Sequence, residues 1–287
     1  MFAVFKRELK TYFLTPTGYI FMGIFLLLAG IFFTYGNLFM LESRFANYLS
    51  NIVFIFLLVV PVLTMRLLTD ERRQKTDQLL LTSPLRITDI VLGKYFAAFV
   101  LFLITIAVTV LYAVVIAIYG DLDTTETIGA YIGFILMGAS FISLGLFISG
   151  TTDNQVIAAI VTFCALLLSW LIDGIVAGLP TSLSSGVVFA AVLVVLVAYW
   201  VYRSTKNLII AIGTAIIGAG VVVLFYFLKQ GVFIGFIGNF LSWFSLTKRY
   251  VSFSMGIIKL SDVVYYLSFV FFFIYLTVRL IEKKRWE

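Results

Sequence analysis

Long uninterrupted runs of apolar residues recur along the whole chain, and most charged residues fall between them. The runs hold about 17 to 30 residues, and about 20 residues of helix cross the hydrocarbon core of a bilayer. A helix that is apolar on every face over such a length is typical of a membrane span, not of a soluble core helix. The pattern predicts eight spans, at residues 19–39, 52–68, 90–119, 128–148, 156–175, 187–202, 208–228 and 263–281.

Composition strengthens this prediction and favours helices over a β-barrel. Of the 287 residues, 62% are hydrophobic and 12% are charged, whereas soluble domains carry about 25% charged residues. Barrel strands alternate polar and apolar residues over about ten positions, whereas residues 187–197 are continuously apolar. We therefore predict an all-α, polytopic integral membrane protein whose residues 1–287 form a single transmembrane domain.

The first residues differ from the later runs because they are amphipathic. A helix over residues 1–13 would place three cations, Lys6, Arg7 and Lys10, away from its apolar face. This pattern is typical of a helix that lies in the membrane interface with its cations towards anionic headgroups. The predicted interfacial helix covers residues 1–15. Its apolar face comprises Phe2, Phe5, Leu9, Tyr12 and Phe13.

The distribution of lysine and arginine orients the eight spans. With an even number of spans both termini lie on one side, and that side carries 15 of the 20 basic residues. Cytoplasmic loops are enriched in basic residues, so both termini and the loop at residues 66–88 are predicted to be cytoplasmic. The net charge of +6 is thus a topology signal, and we predict no nucleic-acid partner.

Glycines and aromatic residues suggest further features outside the cytoplasmic loop. Residues 229–262 form an outer segment rich in aromatic side chains, which suit the headgroup layer. Three glycine pairs at four-residue spacing could allow close helix packing. They are Gly129 with Gly133, Gly174 with Gly178, and Gly231 with Gly235.

The most polar part of the chain is the predicted cytoplasmic segment at residues 66–94. Asp70 and Glu71 stand where a helix start favours acids, and Glu71 and Lys75 are spaced for an i, i+4 ion pair. Pro84 would end the helix. The pattern predicts a short amphipathic helix over residues 70–81. Such a helix either docks on a soluble partner or is an ordinary surface helix, and the residues alone leave both open.

This segment resembles the coupling-helix region of ABC type-2 permeases, the membrane subunits of ATP-driven exporters. The similarity lies in Glu71, Arg72 and Arg73, in residues 79–84 (Leu-Leu-Leu-Thr-Ser-Pro) and in residues 90–94 (Ile-Val-Leu-Gly-Lys). Members of the family usually begin with an amphipathic helix called the elbow, followed by a pair of spans, a coupling helix and further spans. The interfacial helix at residues 1–15 and the elements after it follow the same order. Residues 253–266 and the basic carboxy terminus resemble the gliding-motility-associated branch.

The resemblance implies a coupling helix over residues 69–83 and a set of partners. These are a separate ABC ATPase subunit that carries ATP and Mg²⁺, a second copy of the permease or a related one, and an extracytoplasmic accessory protein. It also implies export across a bacterial cytoplasmic membrane. The partner-coupling residues would be Asp70, Glu71, Arg72, Arg73, Lys75, Thr76, Gln78, Leu79 and Leu80. The family often has glycine and glutamate where this chain has Lys75 and Gln78, so only Glu71 carries over as a coupling acid.

The chain has no ATP-binding loop of its own, because Gly93 and Lys94 lack the earlier glycine and the following Ser or Thr of the GxxxxGK[ST] pattern. We therefore expect no enzymatic activity, no catalytic residue and no cofactor on this chain. With no histidine and one cysteine, it also offers no Cys–His metal site.

Three alternatives to an exporter subunit follow from the sequence. A secondary transporter would usually place ionisable residues at mid-membrane, yet the central thirds of the predicted spans hold no Asp, Glu, Lys, Arg or His. A membrane enzyme would need a polar cluster in a pocket, and Asp121, Asp123 and Glu126 are explained as solvated or helix-capping residues. A non-transporting mechanical transmitter, driven by the same kind of ATPase, stays open.

Overall fold

The structure is a computed structural model that describes residues 1–73 and 86–286. Helices dominate these residues, which contain no strand. A π-helical stretch, Thr34–Phe39, extends α2, and a 3₁₀ turn, Gln230–Val232, follows α9. The helices are α1 Phe2–Leu14, α2 Pro16–Phe33, α3 Phe45–Thr64, α4 Thr69–Arg73, α5 Ile87–Tyr119, α6 Thr124–Thr151, α7 Gln155–Ala177, α8 Leu183–Thr205, α9 Leu208–Leu228, α10 Phe236–Ser242, α11 Thr247–Ser254 and α12 Leu260–Trp286.

The prediction of an all-α, polytopic fold with eight spans is confirmed. Eight helical segments within the described residues are long and apolar enough to cross a membrane, and each overlaps one predicted span. In the outer segment, α10 and α11 have 7 and 8 residues and are too short to cross. The 33 residues of α5 would extend about 50 Å, well beyond a core of about 30 Å.

Local sequence signals explain where several helices begin. Pro16 is the first residue of α2, a position where its missing N–H costs no hydrogen bond. The carboxylate of Asp123 caps α6 by accepting hydrogen bonds from the backbone N–H groups of Thr125 and Glu126. Asn207 caps α9 in the same manner. The interpretation of Asp123 as a capping residue is thus confirmed.

The described helices form two compact units. The first comprises Met1–Leu168 and Arg249–Glu287, and the second comprises Ser169–Lys248. In the first unit, α3, α5 and α6 surround a core of stacked rings. Phe56 lies with its ring centroid 4.7 Å from that of Phe102, 5.1 Å from that of Phe134 and 5.5 Å from that of Phe141.

Only one of the three glycine pairs packs closely against other residues in the described structure. A Cβ atom on Gly133 would lie 2.7 Å from Cγ of Phe253, and one on Gly129 would lie 2.9 Å from Cα of Gly256. A Cβ atom on Gly174 would meet nothing within 4 Å among the described residues. Close packing is therefore confirmed for Gly129 and Gly133, where α11 and the residues after it cross α6.

In the second unit, α8 and α9 pack together and polar bonds hold the outer segment to α7. The Asp173 carboxylate accepts hydrogen bonds from the hydroxyls of Ser245, at 2.8 Å, and Thr247, at 2.9 Å. The aromatic side chains Trp243 and Phe244 remain exposed, as a headgroup-layer position requires. The single permease domain over residues 1–287 stays a prediction.

Candidate functional site

The described part of the predicted coupling helix is α4. Asp70 and Glu71 occupy its first turn, and Arg72 and Arg73 occupy its last turn. This order suits the positive amino end and the negative carboxyl end of a helix. The structure describes only residues 69–73 of the predicted range 69–83. The partner-coupling residues Lys75, Thr76, Gln78, Leu79 and Leu80 lie outside the described residues.

Glu71 is held inside the protein by two cations from other helices. Its Oε1 atom lies 2.9 Å from Nζ of Lys94 in α5 and 3.0 Å from Nη2 of Arg7 in α1. Only 16% of the Glu71 side chain is exposed. The residue predicted as the coupling acid therefore joins three helices of its own chain.

The same two cations also bind Glu8 in α1. Oε1 of Glu8 lies 2.6 Å from Nη2 of Arg7 and 3.2 Å from Nζ of Lys94. We call Arg7, Glu8, Glu71 and Lys94 the charge cluster. Its charges alternate, so each carboxylate faces two cations and each cation faces two carboxylates.

Burial differs sharply within the charge cluster. The Lys94 side chain is 2% exposed, whereas that of Arg7 is 53% exposed. A buried ammonium is tolerated only when it is paired and hydrogen-bonded, and Glu8 and Glu71 meet that need. Hydrogen bonding and charge from Glu8, and then the charge of Glu71, raise the pKa of Arg7 above its ordinary value, so Arg7 remains protonated.

A glycine allows α1 to approach α5 closely enough to form the charge cluster. A Cβ atom on Gly93 would lie 2.9 Å from Cβ of Val4 and 3.1 Å from the backbone nitrogen of Phe5. Real Cβ atoms do not come so close, hence a larger residue at position 93 would push α1 away. Gly93 therefore sets the distance across which Lys94 reaches Glu8.

The predicted interfacial helix is present as α1, but one residue assigned to its membrane face, Tyr12, lies in the protein interior. The structure buries Val4 and Tyr12 on either side of Glu8. The Tyr12 hydroxyl donates to the Leu63 carbonyl oxygen at 3.4 Å, and burial raises the pKa of Tyr12. Assigning Tyr12 to the membrane face was wrong, because its side chain packs inside the protein.

The other four residues predicted for the membrane face are at least partly exposed. Phe2 is 72% exposed, and the rest are half-buried. Their contact with lipid stays a prediction. These residues are Phe2, Phe5, Leu9 and Phe13.

Two further predicted residues tie α4 to the start of α7 and to the turn before it. The Asp70 carboxylate accepts a hydrogen bond from the side-chain amide of Gln155. Nη1 of Arg72 lies 3.5 Å from Oδ1 of Asp153, whose side chain is 75% exposed. Arg73 is exposed. The interpretation of Asp153 as a solvated residue agrees with this exposure.

A cavity of about 640 Å³ opens beside the charge cluster. Its walls come from α1 and the carboxyl end of α3, and its polar lining includes Thr11, Thr15 and Arg66 together with the charge cluster. The cavity leaves space beside the charge cluster, so protein does not enclose these side chains on all sides.

Sequence analysis missed the roles of Arg7, Glu8 and Lys94. A signal for Glu8 was present, because it lies four residues from both Val4 and Tyr12 and therefore shares their helix face. Lys94 interrupts an otherwise apolar run near its start. No spacing rule could identify the partners of these residues, which are 64 and 86 residues apart in the pairs Arg7–Glu71 and Lys94–Glu8.

Comparison with known proteins identifies the family. The sequence profile described as ABC-2 family transporter protein matches residues 9–185, which is more than half of the chain. The chain therefore belongs to the ABC-2 transporter family, whose members are membrane-spanning permease subunits that work with an ABC ATPase. In general these subunits lack an ATPase motif. No curated protein and no solved structure matches the chain.

Proposed function

We propose that this ABC-2 permease exports its substrate with energy from ATP hydrolysed on a separate subunit, which docks at residues 69–83. The family match over residues 9–185 carries the proposal, because it includes the carboxyl-terminal part of the elbow helix and the whole of this segment. ATP and Mg²⁺ would be bound by the partner subunit, and this chain would bind no cofactor.

The position of α4 supports docking there. It lies between α3 and α5, two long candidate spans, so a force on residues 69–83 acts on both. Arg73 is exposed at the end of α4 and is available to a partner. Glu71 faces Lys94 and Arg7, so its contribution to docking would act through the position of α4.

The placement of charge within the spans favours ATP over an ion gradient as the energy source. The central thirds of the predicted spans contain no Asp, Glu, Lys, Arg or His, whereas ion-coupled transporters usually have such residues there. Lys94 is the eighth residue of the 33-residue α5, near the end that is predicted to face the cytoplasm. The charges thus concentrate where an ATPase would bind.

The remaining parts of the proposal concern assembly and location. Two permease copies, identical or related, would surround a shared pathway in a bacterial cytoplasmic membrane, with both termini in the cytoplasm. The carboxy-terminal resemblance favours the gliding-motility-associated branch, and an extracytoplasmic accessory protein would fit that setting. The cargo would be amphipathic or lipid-like, in keeping with spans rich in aromatic and small residues.

Affinity purification of the tagged chain from its native membrane tests this function. We expect a polypeptide with a GxxxxGK[ST] loop to copurify, and the purified complex to hydrolyse ATP. Arg73→Glu should reduce its recovery several-fold, whereas Lys229→Glu, an exposed change on the predicted outer side, should leave it unchanged. A wild-type chain that recovers no such ATPase would contradict the proposal, as would flux in proteoliposomes that needs only an ion gradient.

A further inference from the structure

An ion pair connects the two described helices on either side of residues 74–85. Glu71 lies shortly before this segment and Lys94 lies early in α5 after it, with 2.9 Å between Oε1 and Nζ. The pair therefore joins the two helices, α4 and α5, from which the segment leaves and to which it returns. A displacement of either helix acts on the same charged joint.

The elbow helix α1 is attached to this joint at several points. Glu8 lies 3.2 Å from Nζ of Lys94, and Arg7 bridges to Glu71 at 3.0 Å. The amino terminus of Met1 lies 3.6 Å from Oδ1 of Asp89 at the start of α5. Gly93 lets Val4 pack directly on α5. Helix α1 thus contacts both sides of the joint.

Lys94 is the element of the joint that cannot easily separate from its partners. Its side chain is 2% exposed, and removing either carboxylate would leave a buried charge with fewer hydrogen bonds. Exposed ion pairs, by contrast, are weak and open readily. The buried ammonium therefore favours movement of Glu8 and Glu71 as one unit.

We infer that Lys94 is a positioning residue that makes the elbow helix α1 move together with α4, the described start of the predicted coupling helix. The elbow would then be a driven part of the transport cycle. The inference rests on the proposed function only for the source of the movement, which is the ATPase partner. The joint itself is a property of this chain.

The joint can be tested on the full chain alone, in lipid nanodiscs, by electron–electron resonance between two spin labels. Cys164 is the only cysteine, so Cys164→Ser gives a clean background for labels at Lys10→Cys and Arg73→Cys, two exposed positions. We expect a narrow distance distribution in the wild-type background. It should become at least twofold wider when Lys94→Met, Glu8→Gln and Glu71→Gln are combined.

Two further variants complete this arm. Glu71→Gln alone removes the link to α4 while Lys94 keeps Glu8, and it should also widen the distribution. The matched control combines Arg44→Met with Glu126→Gln, which removes an exposed pair at 3.5 Å elsewhere in the same unit, and it should leave the width unchanged. Unchanged widths in both the triple variant and Glu71→Gln would overturn the inference.

The second arm adds the copurified ATPase, trapped with ATP and vanadate. A label pair at Lys10→Cys and Tyr119→Cys should change its mean distance in the wild-type background and show less than half of that change in the triple variant. Equal changes in both would overturn the inference. If the joint is confirmed in the first arm and no ATPase binds the wild-type chain, the proposed function fails while the joint stands.

Discussion

Replacing Lys94 alone should destabilise the first unit more than replacing Lys94 together with Glu8 and Glu71. In Lys94→Met, Glu8 and Glu71 keep only Arg7 as a cation, although both carboxylates are 16% exposed. In the triple variant with Glu8→Gln and Glu71→Gln, no uncompensated carboxylate remains. Lys94→Met thus leaves two carboxylates without their buried cation, whereas the triple variant leaves neither.

The distances give the scale of the effect. Two unit charges 2.9 Å apart attract by about 6 kcal/mol at an effective dielectric constant of about 20. Desolvation of each ion costs several kcal/mol and offsets most of this attraction, so an intact buried pair contributes little net stability. Removing one partner leaves the desolvation cost in place. Because Arg7 still compensates part of this cost, we expect Lys94→Met to lower the free energy of unfolding by about 3 kcal/mol, the lower end of the usual range.

Thermal unfolding, followed by the fraction of protein that stays monodisperse after heating, measures this difference. Lys94→Met should lower the midpoint by roughly 6 to 12 °C, and the triple variant should stay within about 1 kcal/mol of the wild type. Arg44→Met, which breaks a pair whose arginine is 68% exposed, should cost less than about 1 kcal/mol. A triple variant that is less stable than Lys94→Met would refute the reasoning.

Three further predictions concern packing, capping and topology. Gly133→Ala should lower the free energy of unfolding by about 1 to 3 kcal/mol through overpacking against Phe253. Gly174→Ala should be neutral or slightly stabilising, because nothing among the described residues lies within 4 Å of the new Cβ atom. Thermal midpoints that fall equally in both variants would show that the close contact is irrelevant. Asp123→Ala should destabilise α6 by about 1 kcal/mol through loss of its cap, and Asp121→Ala should have no effect. The same thermal assay measures both variants, and equal losses of stability would argue against capping. In the Cys164→Ser background, an impermeant maleimide applied to intact cells should label Lys229→Cys but not Arg73→Cys, and the reverse pattern would invert the predicted topology.

The spans could be predicted from sequence because each depends on a local run of apolar residues. The boundaries were less predictable where polar residues belong to a helix. Helix α3 begins at Phe45, seven residues before the predicted start at position 52, because Asn47 and Ser50 are accommodated by hydrogen bonds to Glu42 and to the Ala46 carbonyl oxygen. A hydropathy pattern treats such residues as loop.

The charge cluster could not be predicted because it depends on contacts between distant parts of the chain. Periodicity in α1 placed the aromatic residues on one face and the cations Lys6, Arg7 and Lys10 away from it, and it gave no role to Glu8. The structure instead buries the face of Val4, Glu8 and Tyr12, since Lys94 supplies a partner for Glu8. Resemblance to the family identified Glu71 but gave no indication of its internal partners.

Crosslinking from the cytoplasmic segment tests the central claim most directly. A photoreactive maleimide attached at Arg73→Cys, in the Cys164→Ser background, should crosslink in native membranes to a polypeptide that carries a GxxxxGK[ST] loop. The same probe at Lys229→Cys should not reach that polypeptide. ATP-dependent crosslinks at position 73 would support an ATPase docked on residues 69–83. Crosslinks to the ATPase from position 229 but none from position 73 would contradict the account.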